Sequence, residues 1–245
     1  MGAAIEVPSA SEEPATAAPP SFPRQRWRLV VARDALPSAL VGRELMDAWE
    51  SAVDRTGLPL HRPVGRSRAR VAFGAPVPAA IALERELAEI VLTEMVPGWE
   101  VRDALDGRLP DGWRLIDLFD VWLGAPALAG QVAAADYRVA VGDVAEAAVS
   151  AAATALIAAD RLPRERMKGG APVRYDLRPL VAGVWVIDAG PPLLLRMRTF
   201  SHPSLGTGRP DEVVAALGEL AGATLEVGTV VRERLILAEE LGTTR

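Results

Sequence analysis

The residues able to do chemistry in this sequence are cations. Arg62, Arg66, Arg68 and Arg70 fall within nine positions, and no acid interrupts the stretch between Asp54 and Glu84. Alternate side chains of an extended segment share a face, which groups Arg66, Arg68 and Arg70. Guanidinium forks match phosphate oxygens, so this segment is expected to contact phosphate or RNA. The plainer alternative is a solvated edge, or arginines paired with acids elsewhere. Acids are plentiful, since Glu84–Asp120 holds ten against four basic residues. A second cluster joins Lys168-Gly169-Gly170 to Arg178, with Arg209 further on at a helix start. Glycines let backbone N–H groups approach an anion, and a lysine adds a point charge. The Gly-Lys-Ser/Thr ending of a phosphate loop is missing, however, and a turn closed by an Asp176–Arg178 surface pair explains the same residues.

No catalytic residue and no metal ligand is assigned. Cysteine is absent, which removes disulfides, thiolate nucleophiles, zinc ribbons and a self-ligated iron–sulfur cluster. The two histidines, His61 and His202, are isolated, and His202 has no acid within a recognisable motif. Asp176 as an acid or base is set aside, because a carboxylate beside arginine is common. Net charge is −5, against a generic polyanion binder. Of 27 basic residues all but Lys168 are arginine, a bias that GC-rich coding explains and bidentate anion binding would exploit. Phe73 is the one aromatic near the arginine segment, so stacking readout of RNA has no support.

The elements that must position these residues come in two similar runs. Residues 1–23, rich in Ala and Pro and without a cation, read as a tail, taken as disordered through residue 25. They match neither a secretory signal nor a transit peptide, and the longest apolar run, Val144–Ala159, is too interrupted to span a bilayer; a cytoplasmic protein is expected. The first run has a strand at 27–33, a helix at 39–55, strands at 69–73 and 86–95, a helix at 100–109 and a strand at 113–123. After a linker (126–134), the second has a strand at 137–141, a helix capped by Asp143-x-x-Glu146, strands at 173–177, 184–188 and 193–200, a helix from Pro210 and a strand at 225–237. Strand, helix, strand, strand, helix, strand, twice over, predicts an α+β fold of two ferredoxin-like subdomains (26–125 and 135–240) with antiparallel sheets. The tryptophans read as core or interface anchors. The apolar strand bracketed by Trp113 and Trp122 is expected to be buried or to form a homodimer contact.

Short motifs in a shared order carry a family resemblance. They are Leu45-Met46, Arg55-Thr56-Gly57-Leu58-Pro59, Ala72-Phe73-Gly74 with Pro76 and Pro78, and Leu92-Thr93-Glu94 in the first run. The second run has Lys168-Gly169, Tyr175-Asp176-Leu177-Arg178-Pro179-Leu180, Arg209-Pro210-Asp211-Glu212-Val213 and Val231-Arg232-Glu233-Arg234-Leu235. From Trp27 to Leu237 the chain resembles the radical-SAM-linked protein family, a domain of unknown function encoded beside or fused to radical SAM proteins. Where that family has a Ser-His-Leu-Asp start to the first helix, this chain has Ser38-Ala39-Leu40-Val41. Where it has a Gly-Phe-Asn-Pro-His-Pro loop, this chain has Pro63–Arg70, so both histidine positions are lost. The resemblance implies a non-catalytic accessory protein that presents substrate to a radical SAM partner. S-adenosylmethionine and the iron–sulfur cluster would then reside in that partner. RNA binding or processing through residues 62–70 is the first alternative, and an independent enzyme the second.

Overall fold

The computed structural model describes residues 22–36, 40–142 and 144–242, so the expected tail lies almost wholly outside the described residues. Strand Gln25–Arg33 (β1) turns Trp27, Leu29 and Val31 to one face. Helix Gly42–Asp54 (α1) sets Leu45, Trp49 and Val53 against that face, a spacing that keeps them on one stripe. A two-residue strand, Ala72–Phe73 (β2), precedes the long strand Ala82–Leu92 (β3). Helix Gly98–Leu105 (α2) and strand Trp113–Val121 (β4) complete the run. β1 lies antiparallel between β3 and β4, and β2 pairs antiparallel with β3, giving the order β4-β1-β3-β2.

The second run opens with the one-turn helix Leu128–Gln131 (α3), inside the expected linker, and strand Val132–Val141 (β5). Helix Glu146–Ala158 (α4) follows, then a hairpin of Pro163–Lys168 (β6) and Ala171–Asp176 (β7). Strands Val181–Asp188 (β8) and Leu193–His202 (β9), the short Gly206–Thr207 (β10), helix Pro210–Ala221 (α5) and strand Val227–Leu237 (β11) close it, with a last turn at Ala238–Gly242 (α6). The order β8-β9-β5-β11 is antiparallel throughout and repeats that of the first run. Two ferredoxin-like units in an α+β protein are therefore present. They share one sheet, because β11 also pairs in parallel with β3 through Val231–Ala82 and Arg232–Leu83.

Three local expectations change. The strand expected at 173–177 belongs to β7, which with β6 forms a separate two-stranded sheet; arginines at 164, 166 and 174 hid its alternation. The expected capping residue Asp143 lies outside the described residues. Ala145 holds the N-cap position of α4 and Glu146 starts the helix, so the capping-box spacing is absent. Residues 66–70 form no strand: a turn at 64–65 and a bend at 67–68 break the extended run.

There are two cores, and Val30 and Leu87 of the first unit belong to the one built mainly by the second. In the first, Trp49 is fully buried and meets Phe73 and Trp113 edge-on, with centroids 5.3 and 5.2 Å apart. In the second, α4 and α5 pack Val149, Leu156, Val213 and Leu217 onto β5, β8 and β9. The seam combines this apolar packing with a buried ion pair. Arg232 on β11 donates to the Glu86 carboxylate on β3, and both residues are buried. Burial pushes the Glu86 carboxyl up despite Arg232, and lowers the Arg33 guanidinium nearby. Removing one member leaves an uncompensated buried charge. Arg232→Ala is thus expected to cost about 3–5 kcal/mol in urea unfolding, and Arg232→Met with Glu86→Leu much less.

Asp136 on β5 makes a second charged knot, accepting hydrogen bonds from Arg198 at 2.7 Å and Arg234 at 3.0 Å. Burial alone would raise its carboxyl, but these hydrogen bonds hold it below the ordinary 3.8. A depressed carboxylate stabilises the fold above its unfolded pKa and loses that contribution as pH falls through the folded one. The stability gap between wild type and Asp136→Asn should therefore be full at neutral pH and shrink below about pH 4, as read by denaturation at each pH.

Candidate functional site

A cleft of about 1260 Å³ opens between the two units. One wall is α1 and the segment from Arg66 to Ile81; the other is the sheet of the second unit with the start of α5. Most of its buried lining is apolar, including Val71, Leu128, Ala135 and Leu235, with Glu50, Thr199 and Arg232 the buried polar exceptions. Its exposed lining carries Arg43, Arg66 and Arg70 from the first unit and Arg209 from the second, with the acids Asp47 and Asp211 beside them. An apolar pocket with few convergent polar groups is the usual form of a ligand site.

The four arginines are not equivalent. Arg66 is held by Glu50 through contacts of 3.0 and 2.9 Å, and Arg209 by Asp211 at 3.1 and 2.8 Å. The Asp211 hydrogen bond further raises the Arg209 guanidinium, which stays charged. Arg43 lies 3.8 Å from Asp47. Arg70 has no side-chain partner among the described residues. Burial alternates here, with Ala69 and Val71 inside and Arg68 and Arg70 outside. On the cleft wall, Thr199 Oγ1 and Arg232 Nε are buried without a hydrogen-bond partner, an unusual condition for native polar atoms. The first turn of α5 also borders the cleft, but Asp211 and Glu212 already occupy the place where its dipole would favour an anion.

Of the seven residues selected from the sequence, the fold brings Arg66, Arg70 and Arg209 to one cleft. Arg62 turns away to Asp54 at 3.1 Å, and Arg68 does not line the cleft. Lys168 ends β6, opposite Ala171. Arg178 donates to the carbonyls of Ile157 at 3.0 Å and Val181 at 2.7 Å, tying the end of α4 to β8. Asp176 accepts backbone N–H groups from Leu162 at 2.8 Å and Arg178 at 3.1 Å, which replaces the expected ion pair between the two side chains. Those backbone bonds, that of Leu162 first, lower its carboxyl. His202 Nδ1 stands within hydrogen-bond distance of Ser204 and Leu205 in its own loop. No group of three or more His, Cys, Asp or Glu placed to hold a metal occurs among the described residues, and no helix there is long and apolar enough to cross a membrane.

Sequence reasoning missed Arg43, Thr199 and Arg232, which reach the cleft only through tertiary structure. Gly208 is a fourth. A Cβ there would come within 2.5 Å of the Leu180 carbonyl oxygen, so the loop into α5 can lie this close only with glycine. Gly208→Ala should lower stability by about 1–3 kcal/mol, measured by thermal unfolding, because backbone must shift to admit the methyl group.

Taken together, these features define a duplicated ferredoxin-like protein with a ligand-sized cleft between its halves. Residues 38–204 match the model of DUF2344, an uncharacterized protein conserved in bacteria, and the chain belongs to that family. The match stops before α5 and β11, which complete the second unit. No curated protein matches. Among solved structures, the chain is similar to a Cbf5-Nop10-Gar1 complex (TM-score 0.47, 9% identity, 84% of this chain and 49% of that one). It is also similar to an H/ACA RNP bound to a substrate RNA containing 2′-deoxyuridine (TM-score 0.42, 13% identity, 84% and 47%). A protein from Galdieria sulphuraria described as unknown matches at TM-score 0.22 (18% identity, 87% and 98%). The chain spans about half the length of the first two structures.

Proposed function

We propose that this chain is a non-catalytic binding module that takes an RNA segment into the cleft and presents it to a partner enzyme of the radical SAM class. The observation that carries the RNA half of this reading is the convergence of Arg66, Arg70 and Arg209, from two separate units, around an apolar lining. A phosphate backbone would meet the guanidinium rim, and a base or ribose would cover the apolar wall. The partner half is supported by the motifs from Leu45 to Leu235 that resemble the radical-SAM-linked family. Arg70 is the residue expected to matter most, since it alone of the four rim arginines gives up no existing ion pair to bind a phosphate.

The test is fluorescence anisotropy with a labelled single-stranded RNA of about a dozen nucleotides, titrated at several salt concentrations. Arg70→Glu should weaken binding on the order of tenfold or more and reduce the salt slope by about one. Arg68→Glu, a charge change of the same size outside the cleft, should leave affinity within about twofold. Equal losses at both positions would place the contact on the loop surface, and no loss at Arg70 would refute the cleft. Separately, a tagged chain should recover a radical SAM protein from its native lysate after ribonuclease treatment; recovery of none would sink the partner half alone.

A further inference from the structure

We propose, building on the RNA reading of the cleft, that Ser201 and Thr207 recognise the ribose 2′-hydroxyl and make the site selective for RNA over DNA. Both residues line the wall of the cleft that belongs to the second unit. Thr207 on β10 stands directly opposite Ser201 on β9, and their hydroxyl oxygens lie 3.1 Å apart at the exposed surface. Thr199 precedes Ser201 by two residues on the same face of β9 but is buried. Ser201 therefore carries the first hydroxyl of that strand that the cleft can reach. Gly206 and Gly208 flank Thr207, so no neighbouring side chain screens its hydroxyl.

The donors and acceptors of this pair suit a sugar hydroxyl. Two hydroxyls bring two O–H donors and four acceptor sites, and the bond between them uses one of each. One donor and three acceptor sites remain. A phosphate oxygen could take the donor but has no proton for the acceptors. A 2′-hydroxyl both donates and accepts, and so answers both. The deoxyribose carbon that stands in its place answers neither. The charges divide the cleft in the same sense. On the first unit's wall three arginines, Arg43, Arg66 and Arg70, outnumber the acids Asp47 and Glu50. On the wall of the second, Arg209, two residues past Thr207, is neutralised by Asp211 through contacts of 3.1 and 2.8 Å. Phosphates are thus drawn to the first wall, where Arg70 has no side-chain partner among the described residues. The sugars between those phosphates then meet the hydroxyls of the second wall.

The test is fluorescence anisotropy with three labelled strands of one sequence. They are RNA, 2′-fluoro RNA, which keeps the RNA sugar pucker without the O–H group, and DNA with deoxyuridine in place of thymidine. Wild type should bind RNA about threefold to tenfold more tightly than either other strand, the scale of one net hydrogen bond. Ser201→Ala with Thr207→Val should weaken RNA binding by that factor and leave the other two within about twofold, so that the preference disappears. The salt slope should stay that of wild type, because no phosphate contact is removed. Arg70→Glu should instead weaken all three strands alike and keep the preference. Ser204→Ala removes a hydroxyl that lies 3.0 Å from His202 Nδ1 in the same loop, outside the cleft, and should change none of the three. An RNA affinity no greater than the others, or a preference that survives the double variant, would overturn the 2′-hydroxyl contact and leave the cleft reading standing. Equal losses on all three strands in the double variant would overturn it too, because the hydroxyls would then serve the fold or the phosphates. Binding of no strand at all would refute the cleft reading and the 2′-hydroxyl contact together.

Discussion

The two halves of this protein meet along two residue pairs of parallel ladder, Val231–Ala82 and Arg232–Leu83, and so short a seam places heavy demands on the side chains around it. The Glu86–Arg232 pair answers that demand. It lies in the interior, where the attraction between opposite charges is strong and the loss of either is severe. Its effect extends beyond the seam. Arg232 also donates to the Pro76 carbonyl, and Arg33 donates to the carbonyls of Pro78, Ala79 and Ile81. The segment from β2 to β3 is proline-rich and has few ladder bonds of its own, so two guanidinium groups set its path. That segment is a wall of the cleft. The spacing between the walls therefore depends on a charge cluster outside the arginine run of residues 62–70.

This arrangement explains the nearly exclusive use of arginine better than anion binding does. A guanidinium offers five donors in a fixed fork, whereas an ammonium is a compact point charge. Arg26 and Arg28 share one carboxylate, Glu89, while Arg26 also bonds the Ala125 and Pro126 carbonyls. Arg138 bridges Glu84 and Glu233, and Arg178 joins two carbonyls from different elements. In each case one side chain ties three groups or two separate elements. Most arginines here are thus part of the framework. A functional arginine is distinguished by the absence of an internal obligation, and in the cleft that residue is Arg70.

The topology was legible because both units obey local rules: alternation in β1 and β5, a helical stripe in α1, and Pro210 with Asp211 and Glu212 opening α5. Errors fell where local rules and tertiary contacts part. β6 and β7 are rich in arginine and lack an apolar face, because Arg164 packs toward Glu219 on α5 and Arg166 covers Tyr175 at 4.7 Å. Their burial is aromatic and ionic, which periodicity cannot register. The site was half legible. A run of arginines without acids is visible in the sequence, but which guanidinium is already bound depends on Glu50 and Asp54, on the far side of a loop. Arg209 and Thr199 join the cleft only after some 130 further residues have folded back, and no spacing in the sequence encodes that return.

The mixed character of the cleft also limits what can fill it. An inorganic anion would satisfy the rim and leave the apolar lining of Val71, Leu128 and Leu235 against water. A purely apolar ligand would cover that lining and bring Arg70 no counter-charge. A ligand that answers both has an anionic end and a flat or apolar body. The RNA segment proposed above would combine these two properties, its phosphates with its bases. The rim arginines come from both units, so a bound strand would cross the seam that Glu86 and Arg232 hold. Affinity for the ligand and stability of the seam are then linked through the same two walls, and a ligand that binds only the native cleft must stabilise the junction it spans.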